Sequence, residues 1–227
     1  LQTIDQLPKA AAWVGTTNFD LRKPNFVVIH HTAQNSCEQT LRTFTLERSK
    51  VSAHYVICKD GTIHHMLNDY MRAWHGGISK WGNNSDLNSS SIGIELDNNG
   101  FEPFDSAQIN SLLLLLAQLK ENYKIPDANF IGHADIAPKR KVDPNIQFPW
   151  ILLAQKGYGL WFEPNEQYSL PESISIPFAL AMVGYDIKDT TAALLAFKRH
   201  FRADSTAVVT EMDRSVLFQL IQNKLSH

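Results

Sequence analysis

Two histidines and an aspartate, far apart in the chain, have the side chains of a catalytic zinc site. His30 ends the apolar run Phe26-Val27-Val28-Ile29, and His133 ends Phe130-Ile131-Gly132. Asp143 closes the segment that His133 opens. Two imidazoles and a carboxylate can hold zinc and leave its fourth position open for water, the mark of a metal that does chemistry. Between them, Glu95 interrupts the apolar run Ser91-Ile-Gly-Ile-Glu-Leu96. A buried acid needs a partner or a task, and beside activated water it could serve as general base. Lys141, two residues before Asp143, could stabilise a developing oxyanion, or be one more solvated charge of Lys139-Arg140-Lys141.

Nearby residues compete for these roles. His31 neighbours His30, but adjacent strand residues face opposite sides, so only one can face the site. Asp135 rivals Asp143, and its plainer role is to cap the Ile136–Ala137 turn. His64 and His65 lie in a hairpin strand, where one faces solvent. Arg72, Trp74 and His75 precede two glycines and suit the wall of a cleft for sugar or peptide, though Trp74 could equally be core. His54 and Asn88, the latter in the polar stretch before Ser91, join them as substrate-binding candidates.

The elements that must position these groups alternate between strand and helix. Strands are expected at 26–30, 92–96 and 130–133, with a hairpin at 55–67 around Asp60-Gly61. Ser36 caps a helix reaching about Arg48, with Gln39 as a weak capping box. Ser106 caps the strongest helix, to about Lys124, with Ile109, Leu112, Leu113 and Leu116 on its buried face. Residues 1–24 mix apolar patches with turn residues, and 76–90 reads as a long polar loop. The pattern predicts an α/β fold: a central mixed β-sheet flanked by helices. A Pro-rich linker at 162–175 separates residues 1–161 from a small three-helix domain at 176–227, with helices near 176–184, 190–201 and 211–225. A unit that small is marginal alone and should lean on the larger one.

Composition narrows the function classes. The 227 residues carry 21 basic and 23 acidic side chains, a net charge of −2 that leaves no nucleic-acid footprint. The longest apolar run, 112–117, is too short to span a bilayer. Position 1 is Leu, so the numbered chain reads as processed or trimmed, with any targeting segment removed. Cys37 and Cys58 are too far apart for a short-spaced thiolate zinc motif and read as two buried free thiols rather than a disulfide.

Five stretches together resemble the type 2 N-acetylmuramoyl-L-alanine amidases, a family related to peptidoglycan recognition proteins. They are Val28-Ile-His-His-Thr-Ala33, Ser52-Ala-His-Tyr55, Arg72-Ala-Trp-His75, Ser91-Ile-Gly-Ile-Glu-Leu96 and Gly132 to Pro144, within residues 24–158. The segment His133-Ala-Asp-Ile-Ala-Pro138 resembles the AmiD branch of that family. The resemblance implies zinc on His30, His133 and Asp143, with Glu95 and Lys141 catalytic. It implies hydrolysis of the amide between N-acetylmuramic acid and L-alanine, in peptidoglycan or its soluble fragments. Where phage relatives carry a catalytic Tyr, this chain has Ala53, so that role falls to Glu95. The tail resembles a peptidoglycan-binding helical domain but lacks its Gly-rich repeat, which leaves docking onto the catalytic domain as an alternative. The AmiD likeness favours the bacterial cell envelope, with membrane anchoring through a missing N-terminus, over the cytoplasm. Two rivals are a recognition module that binds peptidoglycan uncut, and a glycosidase using Glu95 with Asp97.

Overall fold

The computed structural model describes residue 18, residues 22–164 and residues 168–226. Most of the expected N-terminal segment, and residues 165–167 of the expected linker, lie outside the described residues. The elements in chain order are β1 (Phe26–His31), α1 (Cys37–Thr45), β2 (Tyr55–Ile57), β3 (Ile63–His65), α2 (Leu87–Ser90) and β4 (Ser91–Leu96). They continue with α3 (Ser106–Tyr123), β5 (Phe130–Gly132), α4 (His133–Ile136), α5 (Trp150–Ala154), α6 (Ile176–Val183), α7 (Thr190–Arg202) and α8 (Glu211–Leu225).

The strands form one mixed sheet in the order β3-β2-β4-β1-β5. Parallel pairing joins β2 to β4, β4 to β1 and β1 to β5, while β3 runs antiparallel on β2. Strand alternation gives the sheet two kinds of face. Val27, Ile29, Ile92, Ile94 and Leu96 pack with Leu112, Leu116 and Leu119 of α3. Val28 and Ile131 turn the other way and join Ile136, Leu180, Phe197 and Leu220 in a second cluster. The three C-terminal helices thus share a core with the sheet. Phe162 and Leu170 from the expected linker are also buried in that cluster.

Several boundaries differ from expectation for local reasons. Ser36 caps α1 by accepting the Gln39 N–H, but the helix ends at Thr45 and a 3₁₀ turn follows at Glu47–Ser49. Asp105, not Ser106, is the N-cap of α3, and Lys124 closes that helix in the left-handed region at φ 53°. The buried face of α3 uses Leu115 and Leu119, with Leu113 at its margin. The polar stretch 76–90 ends in the short helix α2, where Leu87 and Asn88 are buried.

The cysteines correct the free-thiol reading. Cys37 and Cys58 form a disulfide with Cα atoms 5.4 Å apart. α1 packs on β2 and brings its first residue to the end of that strand, within the range a disulfide spans. Nothing in a spacing of 21 residues reveals that contact.

Candidate metal centre and active-site cleft

The site forms where three parallel strands end, the position that favours sites in α/β sheets. His30 and Glu95 are register partners on β1 and β4, so their side chains leave the same face of the sheet. His133 follows the last residue of β5, which pairs with Ile29 one step before His30. Asp143 returns from the loop after α4, and its carbonyl accepts the Ala134 N–H at 2.8 Å. His31 leaves the other face of β1 toward Gly100 and lines the same cleft as Glu95, and among the described residues its Nδ1 has no partner.

The three proposed ligand atoms converge. His30 Nδ1 lies 2.9 Å from His133 Nδ1 and 3.2 Å from Asp143 Oδ2, and His133 Nδ1 lies 2.9 Å from the same oxygen. Ligands about 2.0–2.1 Å from a tetrahedral zinc stand roughly 3.3 Å from one another. The spacing therefore fits one small divalent ion, and all three side chains are buried. The protonation of His30 and Asp143 fits as well. Burial pushes the His30 imidazole down to about 4, with His133 adding to the effect. Burial alone would raise Asp143, but hydrogen bonds with His133 and His30 outweigh it and hold the carboxyl well below its ordinary range. Neutral imidazole and ionised carboxylate are the forms that bind metal.

The outer ring nitrogens fix the tautomers. With an ion in place of the His133–Asp143 hydrogen bond, His133 Nε2–H would donate to the Gly76 carbonyl at 3.2 Å and Nδ1 would be the lone-pair atom. If His30 Nδ1 likewise faces an ion, its Nε2–H donates to His75 Nδ1 at 3.0 Å. His75 Nε2–H then donates to Ser91 Oγ at 3.2 Å, and the Ser91 hydroxyl to the Leu87 carbonyl. His75 lies flush against Gly93, where an added Cβ would come within 2.4 Å of the ring. The lone Gly in Ser91-Ile-Gly-Ile signals such a close approach. Ser91 carries no comparable signal.

Glu95 stands 4.0 Å from His30 Nδ1. Its Oε2 has no partner among the described residues. Burial raises its carboxyl to about 8, Asp143 adds to the rise, and Lys141 opposes it. Lys141, Glu95, His133 and Asp143 line one cleft of about 380 Å³, with His75 and half-exposed Trp74 on its wall. Asp97 sits elsewhere, beside Lys59 and Glu102, so it does not pair with Glu95 across the cleft.

Of the remaining substrate-binding candidates, His54 and Asn88 are buried and Arg72 is exposed. His54 is fully buried, accepts the Gly93 N–H at Nδ1 and donates from Nε2 to the Met71 carbonyl. Asn88 Oδ1 accepts the N–H groups of His75 and Gly76 at 3.2 and 2.7 Å. Arg72 pairs with Asp86 at 3.0 Å and with the Ser89 hydroxyl at 2.9 Å. Asp135 does not cap the turn after it; it reaches back to the Gly132 N–H at 2.7 Å.

Two imidazoles and one carboxylate spaced to hold a small divalent ion, beside an acid with an oxygen unpartnered among the described residues, form a candidate hydrolase-type metal centre on an α/β sheet. The chain belongs to the N-acetylmuramoyl-L-alanine amidase family, whose model matches residues 20–146. It is 35% identical over 209 residues to the N-acetylmuramoyl-L-alanine amidase AmiD of Escherichia coli, covering 78% of this chain and 74% of that one. It is 41% identical over 102 residues to the 1,6-anhydro-N-acetylmuramyl-L-alanine amidase AmpD of Haemophilus influenzae, covering 44% of this chain and 55% of the relative. Among solved structures, the E. coli AmiD complex with anhydro-N-acetylmuramic acid-L-Ala-D-γ-Glu-L-Lys superposes with a TM-score of 0.79 at 29% identity, covering 96% of this chain and 93% of that one. AmpDh3 of Pseudomonas aeruginosa superposes with a TM-score of 0.82 at 26% identity, covering 96% and 98%.

Proposed function

We propose that this protein is a zinc-dependent amidase that cuts the bond between the lactyl group of N-acetylmuramic acid and the L-alanine of the stem peptide. Its substrate is peptidoglycan or a muropeptide released from it. The observation that carries this reading is the cluster of His30, His133 and Asp143, 2.9–3.2 Å apart, with Glu95 4.0 Å from His30. The substrate is supported by the AmiD complex described above. Hydrolysis needs no redox chemistry, and a site of two histidines and one carboxylate with an open position suits zinc.

Zinc bound there would polarise the scissile carbonyl and lower the pKa of water toward about 7. The positive charge of that ion would favour the ionised form of Glu95, which takes the proton of the attacking water on the oxygen left unpartnered among the described residues. A C–O bond forms at the lactyl carbonyl, the C–N bond breaks, and Glu95 returns the proton to the leaving L-alanine amine. Lys141 faces the same cleft and offsets charge as it grows on the carbonyl oxygen. Trp74 offers an exposed ring to the glycan or peptide. The positions of His54 and Asn88 support a bracing role for these two behind the cleft wall, while Arg72 pairs with Asp86 at the surface.

Residues 1–161 would carry the chemistry, and 176–227 would form the helical domain docked on it. The Cys37–Cys58 disulfide supports an oxidising compartment, and with it the cell envelope. A recognition module without activity has no need of the Glu95 geometry.

The test is digestion of sacculi and of anhydro-muropeptides, with metal content measured and a chelator arm. Free stem peptides that vanish on zinc removal are expected. Cut glycan strands, or release of peptides that no chelator affects, would refute the reading.

A further inference from the structure

We propose that the C-terminal helices act on the metal centre through Asp135, with Tyr185 and His200 as positioning residues for His133. This rests on the zinc site proposed above and deepens it. Asp135 is buried and lies two residues after His133. Its Oδ1 accepts the Tyr185 hydroxyl at 2.8 Å, and its Oδ2 accepts His200 Nδ1–H at 2.7 Å together with the Gly132 N–H at 2.7 Å. Tyr185 stands just after α6 and His200 lies in α7. Two of the three donors therefore come from the helical domain. The carboxylate they orient caps the turn that begins at His133.

The same imidazole reaches the second ligand-bearing segment. His200 stacks on Trp150 with centroids 3.8 Å apart and planes 14° from parallel. Trp150 and Pro144 pack closely over Gly132, where an added Cβ would meet them at 3.1 and 2.9 Å. Pro144 follows the ligand Asp143, whose carbonyl is tied to the Ala134 N–H. One side chain of the helical domain thus bears on the segments that present both His133 and Asp143. Adhesion between the two layers is already supplied by apolar contacts around Ile136, Leu180 and Phe197. Directional bonds to a single buried carboxylate add orientation, and outer partners of this kind tune metal affinity.

The test measures zinc affinity by chelator competition on the full chain, for wild type, Tyr185→Phe, His200→Ala and His200→Asn. Visible spectra of the Co(II)-loaded proteins and thermal melts in chelator accompany it. Tyr185→Phe and His200→Ala are expected to weaken zinc binding about tenfold and to shift the Co(II) bands. His200→Asn, whose amide nitrogen can stand in for Nδ1–H, should recover most of the affinity. Tyr185→Phe removes one oxygen and keeps the ring, so it remains informative if His200→Ala fails to fold. Affinity within twofold of wild type and an unchanged Co(II) spectrum in Tyr185→Phe would overturn the inference while leaving the zinc site standing. A wild type that retains no zinc would remove the metal reading itself, and this inference with it.

Discussion

Glu95 and Lys141 face the same cleft but should fail differently when removed. Glu95→Gln keeps the size of the side chain and loses the base. Zinc content should stay near wild type while kcat falls by about 10²–10⁴-fold; turnover near the wild-type rate would reassign the base. Lys141→Ala should lower kcat more than it changes KM, because its charge acts on the transition state. A change confined to KM would make Lys141 a substrate contact. His54 makes a prediction about stability rather than rate. Burial lowers its pKa to about 4, with Arg22 contributing and the Met71 carbonyl opposing, against about 6.5 when unfolded. Between those values the unfolded chain binds the extra proton, so stability falls as pH drops from 6.5 to 4 and levels off below. In chelator, melting temperature measured across that window should show a shallower slope for His54→Asn, whose Oδ1 can still accept the Gly93 N–H.

At the scale of elements, β4 matters for what it omits. Gly93 leaves the space that His75 fills, and His75 in turn contacts the outer nitrogen of His30. Ala at this position meets a ring boxed in by Ser91 and His30, so the ring or the strand must move. Gly93→Ala should destabilise the fold by about 1–3 kcal/mol, read by denaturant unfolding. It should also weaken zinc binding, since the imidazole it displaces orients a ligand. A stable variant with wild-type zinc affinity would show that His75 is dispensable to the centre. The β1–β4 register has the larger consequence. A slip of one residue would turn His30 to the α3 face and set His31 opposite Glu95 in its place.

At the scale of the molecule, two cross-links join parts that are distant in sequence. The Cys37–Cys58 disulfide ties α1 to β2, and residues just before α1, such as Gln34, line the cleft. Closing a loop of 21 residues stabilises the fold by about 3 kcal/mol on the chain-entropy model. A reducing agent should lower the melting temperature by roughly 5–10 °C at that scale. An unchanged melt, with reduction verified by thiol titration, would show that the bond contributes nothing. The second cross-link is the Asp135 cluster, which makes the helical layer part of the same folding unit as the sheet. No helix among the described residues is long and apolar enough to cross a membrane.

Hydrophobic periodicity and side-chain chemistry are local properties, so the sequence alone determined the mixed α/β architecture and the three C-terminal helices, and singled out His30, His133 and Asp143 as the set the fold brings together. Glu95 was legible for the same reason, as an acid inside an apolar strand. Contacts between distant segments are not written in spacing. Only the tertiary structure decided that Cys37 meets Cys58, that Asn88 and His54 spend their polar atoms inside the protein, that Arg72 pairs with Asp86, and that His75 stands behind His30 as well as on the cleft wall. Asp135 is the plainest case: local rules gave it a turn to cap, and the helices that bind its carboxylate arrive some 50 and 65 residues later.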